Sequence, residues 1–165
     1  TLPHFRPYTS TDLAGIELGG AIKNVYAIAA GIAHGLGLGD NAVAALVTRA
    51  LAEMTRLGIA LGGNIETFAG LSGVGDLLVT CFSEHSRNHR VGLALGQGKT
   101  LEDAISKLGM VAEGVPNTLS IYEASQRAGA RTPIIDAVHS ILYQGKPAAE
   151  ALMELLSRDT RTECE

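Results

Sequence analysis

Apolar residues recur along this chain at steps of three and four, the spacing that lays a stripe down one side of an α-helix. The clearest run begins at Asp40 or Asn41, where Val43, Leu46, Val47, Ala50, Leu51, Met54 and Leu57 share a side and Arg49, Glu53 and Arg56 are left for other faces. Gly62-Gly63 ends it. Upstream, Asp12 is an N-cap for a helix running towards Gly31 or Gly35, built from small residues that let neighbours approach closely. Asn64 caps a short helix carrying Phe68, ahead of a Gly-rich turn at Gly73 and Gly75. Further helices are predicted from Asp76 to Thr80, Ser86 to Leu95, Thr100 to Leu108, Pro116 to Ala128, Pro133 to Tyr143 and Pro147 to Leu156. Thr100-x-x-Asp103 imitates a capping box, with Asp in place of Glu. Pro133 and Pro147 are placed in a first helical turn, where the missing N–H costs nothing. With no alternating strand pattern and no repeat, the predicted fold class is all-α.

Composition supports helices. Hydrophobic residues make up 46% and aromatic residues only 4%, without tryptophan, so the core is filled by Ala, Leu, Ile and Val. At 165 residues the chain is about one domain long. Residues 1–11, with two prolines and the aromatic pair Phe5 and Tyr8, read as an extended linker or tail from a domain that is missing, and 12–165 as the helical domain. The net charge of −4 argues against a nucleic-acid partner. Cys81 and Cys164 have neither metal spacing nor the look of a disulfide framework, which points to a reduced, cytoplasmic protein, and no secretory signal is visible. The apolar stretch from Leu13 to Leu38 is interrupted by Glu17, Lys23, Asn24 and His34, which favours a core helix over a membrane span.

Three stretches carry candidate chemistry. Lys23 lies in Gly19-Gly-Ala-Ile-Lys-Asn-Val-Tyr-Ala-Ile-Ala-Ala-Gly31, where almost every neighbour is small or apolar; it is either a snorkelling edge residue or a buried functional amine. Asn24 follows about 100° round the helix, so the two can flank one cleft. In Gly73-Val-Gly-Asp-Leu-Leu-Val-Thr-Cys81, Asp76 starts a helix and Thr80 falls on its face; alone, this reads as a capped helix with an inward threonine. Ser86-Arg-Asn-His-Arg90 offers helix N-terminal N–H groups and guanidinium, which describes a phosphate site and a solvated basic patch equally well. Weaker features carry less. Gly35-Leu-Gly-Leu-Gly39 follows no strand and lacks the dinucleotide spacing. His85 and His89 lack companions for zinc, so no metal is expected. Cys81 reads as core.

Taken together, these stretches resemble the C-terminal, substrate-binding domain of bacterial-type NAD(P)-dependent glycerol-3-phosphate dehydrogenases. The matching pieces are Gly15-Ile-Glu-Leu-Gly-Gly-Ala-Ile-Lys-Asn-Val25 onward to Gly31, Thr48-Arg-Ala-Leu-Ala-Glu-Met-Thr-Arg-Leu-Gly58, Gly73-Val-Gly-Asp76, Ser86-Arg-Asn88, Leu95-Gly-Gln-Gly98 and Val111-Ala-Glu-Gly114, in the family's order. The opening Phe5-Arg-Pro-Tyr-Thr-Ser10 resembles the family's interdomain linker. The resemblance implies a multi-helix domain similar to the C-terminal domain of 6-phosphogluconate dehydrogenase. It also implies a cytoplasmic, dimeric oxidoreductase that interconverts dihydroxyacetone phosphate and sn-glycerol 3-phosphate for phospholipid synthesis. NAD or NADP would be held mainly by an N-terminal Rossmann domain that this sequence does not contain, leaving this chain inactive by itself.

Residue by residue, the resemblance implies that Lys23 transfers the proton. Lys23, Asn24, Asp76, Thr80, Ser86, Arg87 and Asn88 would bind substrate, and Arg87, Val111 and Glu113 would reach the cofactor. His89 stands where another arginine is usual and Val91 where an aromatic residue is usual, departures expected to weaken the charge of the phosphate site. Another dehydrogenase with a similar helical domain, or a non-enzymatic dimerisation module, are the rival readings; a dinucleotide fingerprint just upstream would separate them.

Overall fold

The computed structural model describes residues 4–106, 109 and 111–158. Among them are nine α-helices and no β-strand: α1 Leu13–Gly35, α2 Asp40–Ala60, α3 Ile65–Phe68, α4 Asp76–Phe82, α5 Arg87–Gly96, α6 Leu101–Ser106, α7 Gly114–Ala128, α8 Pro133–Tyr143 and α9 Ala148–Leu156. The all-α expectation is met. Cys164, the predicted end of a helix at Leu108, and the first residues of the linker lie outside the described residues.

The central helix is α1, which packs against α5, α4, α7, α2 and α8. It is long and apolar enough to cross a membrane, but 67% of its apolar window is buried inside the domain, and Ile22, Val25, Tyr26 and Ile28 are sealed in the core. That is the pattern of a core helix. Its start is fixed by Asp12, as expected: Oδ1 accepts from the Gly15 N–H at 2.9 Å, while Oδ2 accepts from the Asn64 N–H at 2.9 Å and the Thr67 hydroxyl at 2.6 Å. These bonds hold the Asp12 carboxyl below its usual pKa, the Thr67 bond most strongly.

Glycines set a close helix–helix contact. Gly31 and Gly35 on α1 face Gly92 and Gly96 on α5. A methyl group at Gly31 would strike the His89 carbonyl, and one at Gly92 the Ile28 carbonyl, so the two backbones touch. This crossing brings the first turn of α5 beside the middle of α1.

Several details differ from the sequence reading. The Gly73–Gly75 turn is part of a π-helical turn, Leu71–Gly75, that runs straight into α4. Gly73 is pressed against the Phe68 backbone, where no side chain fits. Asn64 precedes α3 but makes no side-chain cap, and its N–H is the group bonded to Asp12. Pro147 stands just before α9 rather than inside its first turn. Glu53, left by periodicity for an outer face, is buried: its two oxygens accept from the N–H groups of Ile134 at 3.1 Å and Ile135 at 3.0 Å, capping α8 from α2. Burial pushes its carboxyl up to about 7 against the lowering effect of those bonds, and the Tyr26 hydroxyl is buried beside it.

Candidate active site

The site grows from two adjacent residues on α1 that face different neighbours. The Lys23 ammonium donates to the Asp76 carboxylate in a short ion pair, and the two side chains stay 21% and 34% exposed. Lys23 is thus a partly buried amine held by a carboxylate. Asp76 is set by its place as the first residue of α4, directly after the π-helical turn Leu71–Gly75. Thr80, one turn on, donates its hydroxyl to the Asp76 backbone carbonyl at 2.5 Å and stands 3.4 Å from Oδ1.

Asn24 turns into the protein. Its side-chain carbonyl accepts from the Asn88 amide at 2.9 Å, and its own amide donates to the Gly20 carbonyl at 3.2 Å. The Asn88 carbonyl in turn accepts from the Gly114 N–H at 2.8 Å, so one buried amide ties α1, α5 and the start of α7 together. Gly114 fits because its α-carbon lies against Asn24 and Asn88 with no room for a side chain. Glu113, immediately before it, is exposed, and so is Val111.

Ser86 caps α5, its hydroxyl accepting from the His89 N–H at 3.3 Å. Arg87 begins the helix half-buried, without a hydrogen bond or ion pair among the described residues. The geometry thus forms two bonded groups, Lys23–Asp76–Thr80 and Asn24–Asn88–Gly114, which meet only through the adjacent positions of Lys23 and Asn24 on α1; Arg87 precedes Asn88 and Glu113 precedes Gly114 in the chain. Val111 makes no bond to either group.

His89 and Val91, the two departures beside the candidate site, both face the interior. His89 is buried against α1, its Nε2 2.7 Å from His34 Nδ1, and Val91 is sealed in the core. Burial first, and His34 second, lower the His89 pKa. The His34–His89 pair was not anticipated; its signal was the matched Gly31-x-x-x-Gly35 and Gly92-x-x-x-Gly96 spacing, which brings these two helices together. Cys81 is fully buried and burial pushes its thiol up to about 12, in keeping with a core residue. Among the described residues no group of His, Cys, Asp and Glu is placed to hold a metal ion.

The chain belongs to the family described as NAD-dependent glycerol-3-phosphate dehydrogenase C-terminus, whose model matches residues 12–153. It is 54% identical over 163 residues to the glycerol-3-phosphate dehydrogenase [NAD(P)+] of Geobacter sulfurreducens, covering 99% of this chain and 49% of that protein. The protein of the same name from Geobacillus kaustophilus is 54% identical over 160 residues, covering 97% and 46%. The fold matches the crystal structure of the Coxiella burnetii glycerol-3-phosphate dehydrogenase with a TM-score of 0.92 and 44% identity, over 96% of this chain and 49% of that one. The chain spans about half the length of the curated relatives it matches.

Proposed function

We propose that this chain is the substrate-binding and proton-transferring half of an enzyme that interconverts dihydroxyacetone phosphate and sn-glycerol 3-phosphate. The observation that carries the reading is the half-exposed Lys23–Asp76 pair, set next to the capped start of α5. The Lys23 ammonium gives a proton to the substrate oxygen as the carbonyl becomes an alcohol, leaving a neutral amine; in reverse, the amine takes the hydroxyl proton. Asp76 holds the ammonium in place, and Thr80 fixes Asp76. Ser86, Arg87 and the first N–H groups of α5 receive the phosphate, combining a guanidinium with a helix N-terminus. Asn24 and Asn88 support that arrangement from beneath through their mutual bond.

NAD or NADP, when bound, supplies or accepts the hydride, held mainly by a Rossmann domain in the part of the protein this chain does not span. Exposed Val111 and Glu113, with Arg87, are the side chains here that would meet it. The same reading makes the protein a cytoplasmic homodimer that supplies glycerol 3-phosphate for phospholipid synthesis. The test is a steady-state assay of the full-length protein with dihydroxyacetone phosphate and unphosphorylated dihydroxyacetone, each with NADH and NADPH. Strong preference for the phosphorylated ketone is expected; equal use of both, or no ketone reduction, refutes the reading.

A further inference from the structure

The segment Leu71–Phe82 is apolar on both sides. Leu77 and Cys81 are sealed in the core, yet on the opposite side Leu71, Leu78, Val79 and Phe82 are exposed, Leu71 at 66% and Val79 at 61%. Leu71, Gly75, Leu78, Val79 and Phe82 follow one helix face, and the Leu71 side chain lies over Gly75. The only carboxylate or basic residue in the segment is Asp76, and it is turned to Lys23. A helix facing water ordinarily carries charge on its outer side; one that is apolar all round is covered.

We propose that this stripe is the docking face for the preceding half of the same protein, an inference that rests on the two-part reading above. Two further observations favour that occupant. The family match is to the C-terminus of proteins about twice as long as this chain, so in those relatives the remaining half precedes the matched segment. And the chain enters the domain beside the stripe: Asp12 is bonded to Asn64 and to Thr67, the latter one helical turn before Leu71, and Gly19 is packed against the Ser72 carbonyl. The occupant is an apolar patch with few charges. Because Asp76 and Thr80 border the stripe on the same helix, seating that patch also fixes how the other half meets Lys23.

The experiment uses the full-length protein. Hydroxyl-radical footprinting with mass spectrometry reads the oxidation of Leu71, Leu78, Val79 and Phe82 over a dilution series in which the oligomeric state is followed by light scattering. Protection that persists in the monomer is expected. Oxidation of all four at rates typical of exposed side chains overturns the proposal, and protection that appears only with dimerisation assigns the stripe to a second copy instead. A Val79→Glu, Phe82→Glu double variant gives a second readout: scattering should show an extended two-lobed particle, and KM for the dinucleotide should rise about tenfold or more as alignment is lost. An unchanged particle and unchanged KM in a folded variant also overturn it. Should the wild-type protein fail to reduce dihydroxyacetone phosphate while the stripe is protected, the substrate reading falls and the docking face stands.

Discussion

Asn24 and Asn88, 64 residues apart in sequence, are joined by a buried side-chain hydrogen bond of 2.9 Å, and the Asn88 carbonyl continues it to the Gly114 N–H at 2.8 Å. Each partner left unpaired in a buried site costs roughly 1–3 kcal/mol. Asn88→Ala should therefore lower stability by about 2–4 kcal/mol, since it strands both the Asn24 carbonyl and the Gly114 N–H. Urea unfolding of the domain measures this; a loss below 1 kcal/mol would mean that water replaces the amide without penalty.

Chemistry and binding separate at Lys23 and Arg87. In the full-length protein Lys23→Ala should depress kcat severely with a smaller effect on substrate affinity, because a proton donor acts mainly in the transition state. Arg87→Ala should chiefly raise KM, removing a charge-assisted partner worth roughly 1.5–3 kcal/mol to the phosphate. The Arg87 variant should also lose most of its preference for dihydroxyacetone phosphate over dihydroxyacetone, while the Lys23 variant keeps it in binding. Near-normal turnover of Lys23→Ala would make the amine structural.

Glu53 sets a pH dependence of stability. Its carboxyl is raised from 4.5 to about 7 in the fold, so the folded state keeps a proton that the unfolded chain has already released. Its contribution is full below about pH 4.5 and is lost as pH rises through about 7, a change of roughly 3 kcal/mol. Glu53→Gln, neutral throughout, should flatten that part of the curve. Melting temperatures of both proteins from pH 4.5 to 8 provide the check, and parallel curves would place the titration elsewhere.

The α1–α5 crossing predicts intolerance to the smallest substitution. Gly92→Ala puts a methyl group onto the Ile28 carbonyl, and neither backbone can yield without moving its helix. Overpacking costs typically 1–3 kcal/mol where side chains can adjust, so a loss at or above about 3 kcal/mol is expected here. Gly20→Ala, with open space around it, should change stability little. Thermal melts of the pair settle the contrast.

Local signals were legible in sequence because their partners are close by. Asp12 and Ser86 cap their helices, Thr100 accepts from the Asp103 N–H at 3.1 Å, and Pro133 opens α8. The α2 stripe buries Val43, Val47, Ala50, Met54 and Leu57 as spaced. What was hidden depends on distant partners. Nothing near Glu53 reveals that it reaches N–H groups 81 and 82 residues away, and a glutamate in an amphipathic pattern reads as solvent-facing. His34 and His89 meet across 55 residues only because glycines let two backbones touch. Lys23 and Asn24 read from the sequence as flanking one cleft, but the fold divides them: Lys23 looks outward to Asp76, whereas Asn24, its neighbour, looks inward to Asn88.

The sealed position of Cys81 gives the molecule a built-in clock. Thiolate is the form that reacts with alkylating agents and oxidants, and a thiol raised to about 12 holds almost none of it at neutral pH. Reagent can reach the sulfur only when α4 lifts away from the core. With Cys164 replaced by serine, the rate at which Cys81 is labelled therefore reports on opening of the very helix that carries Asp76. Thiol damage at this residue therefore requires the fold to open first, whatever oxidant surrounds it.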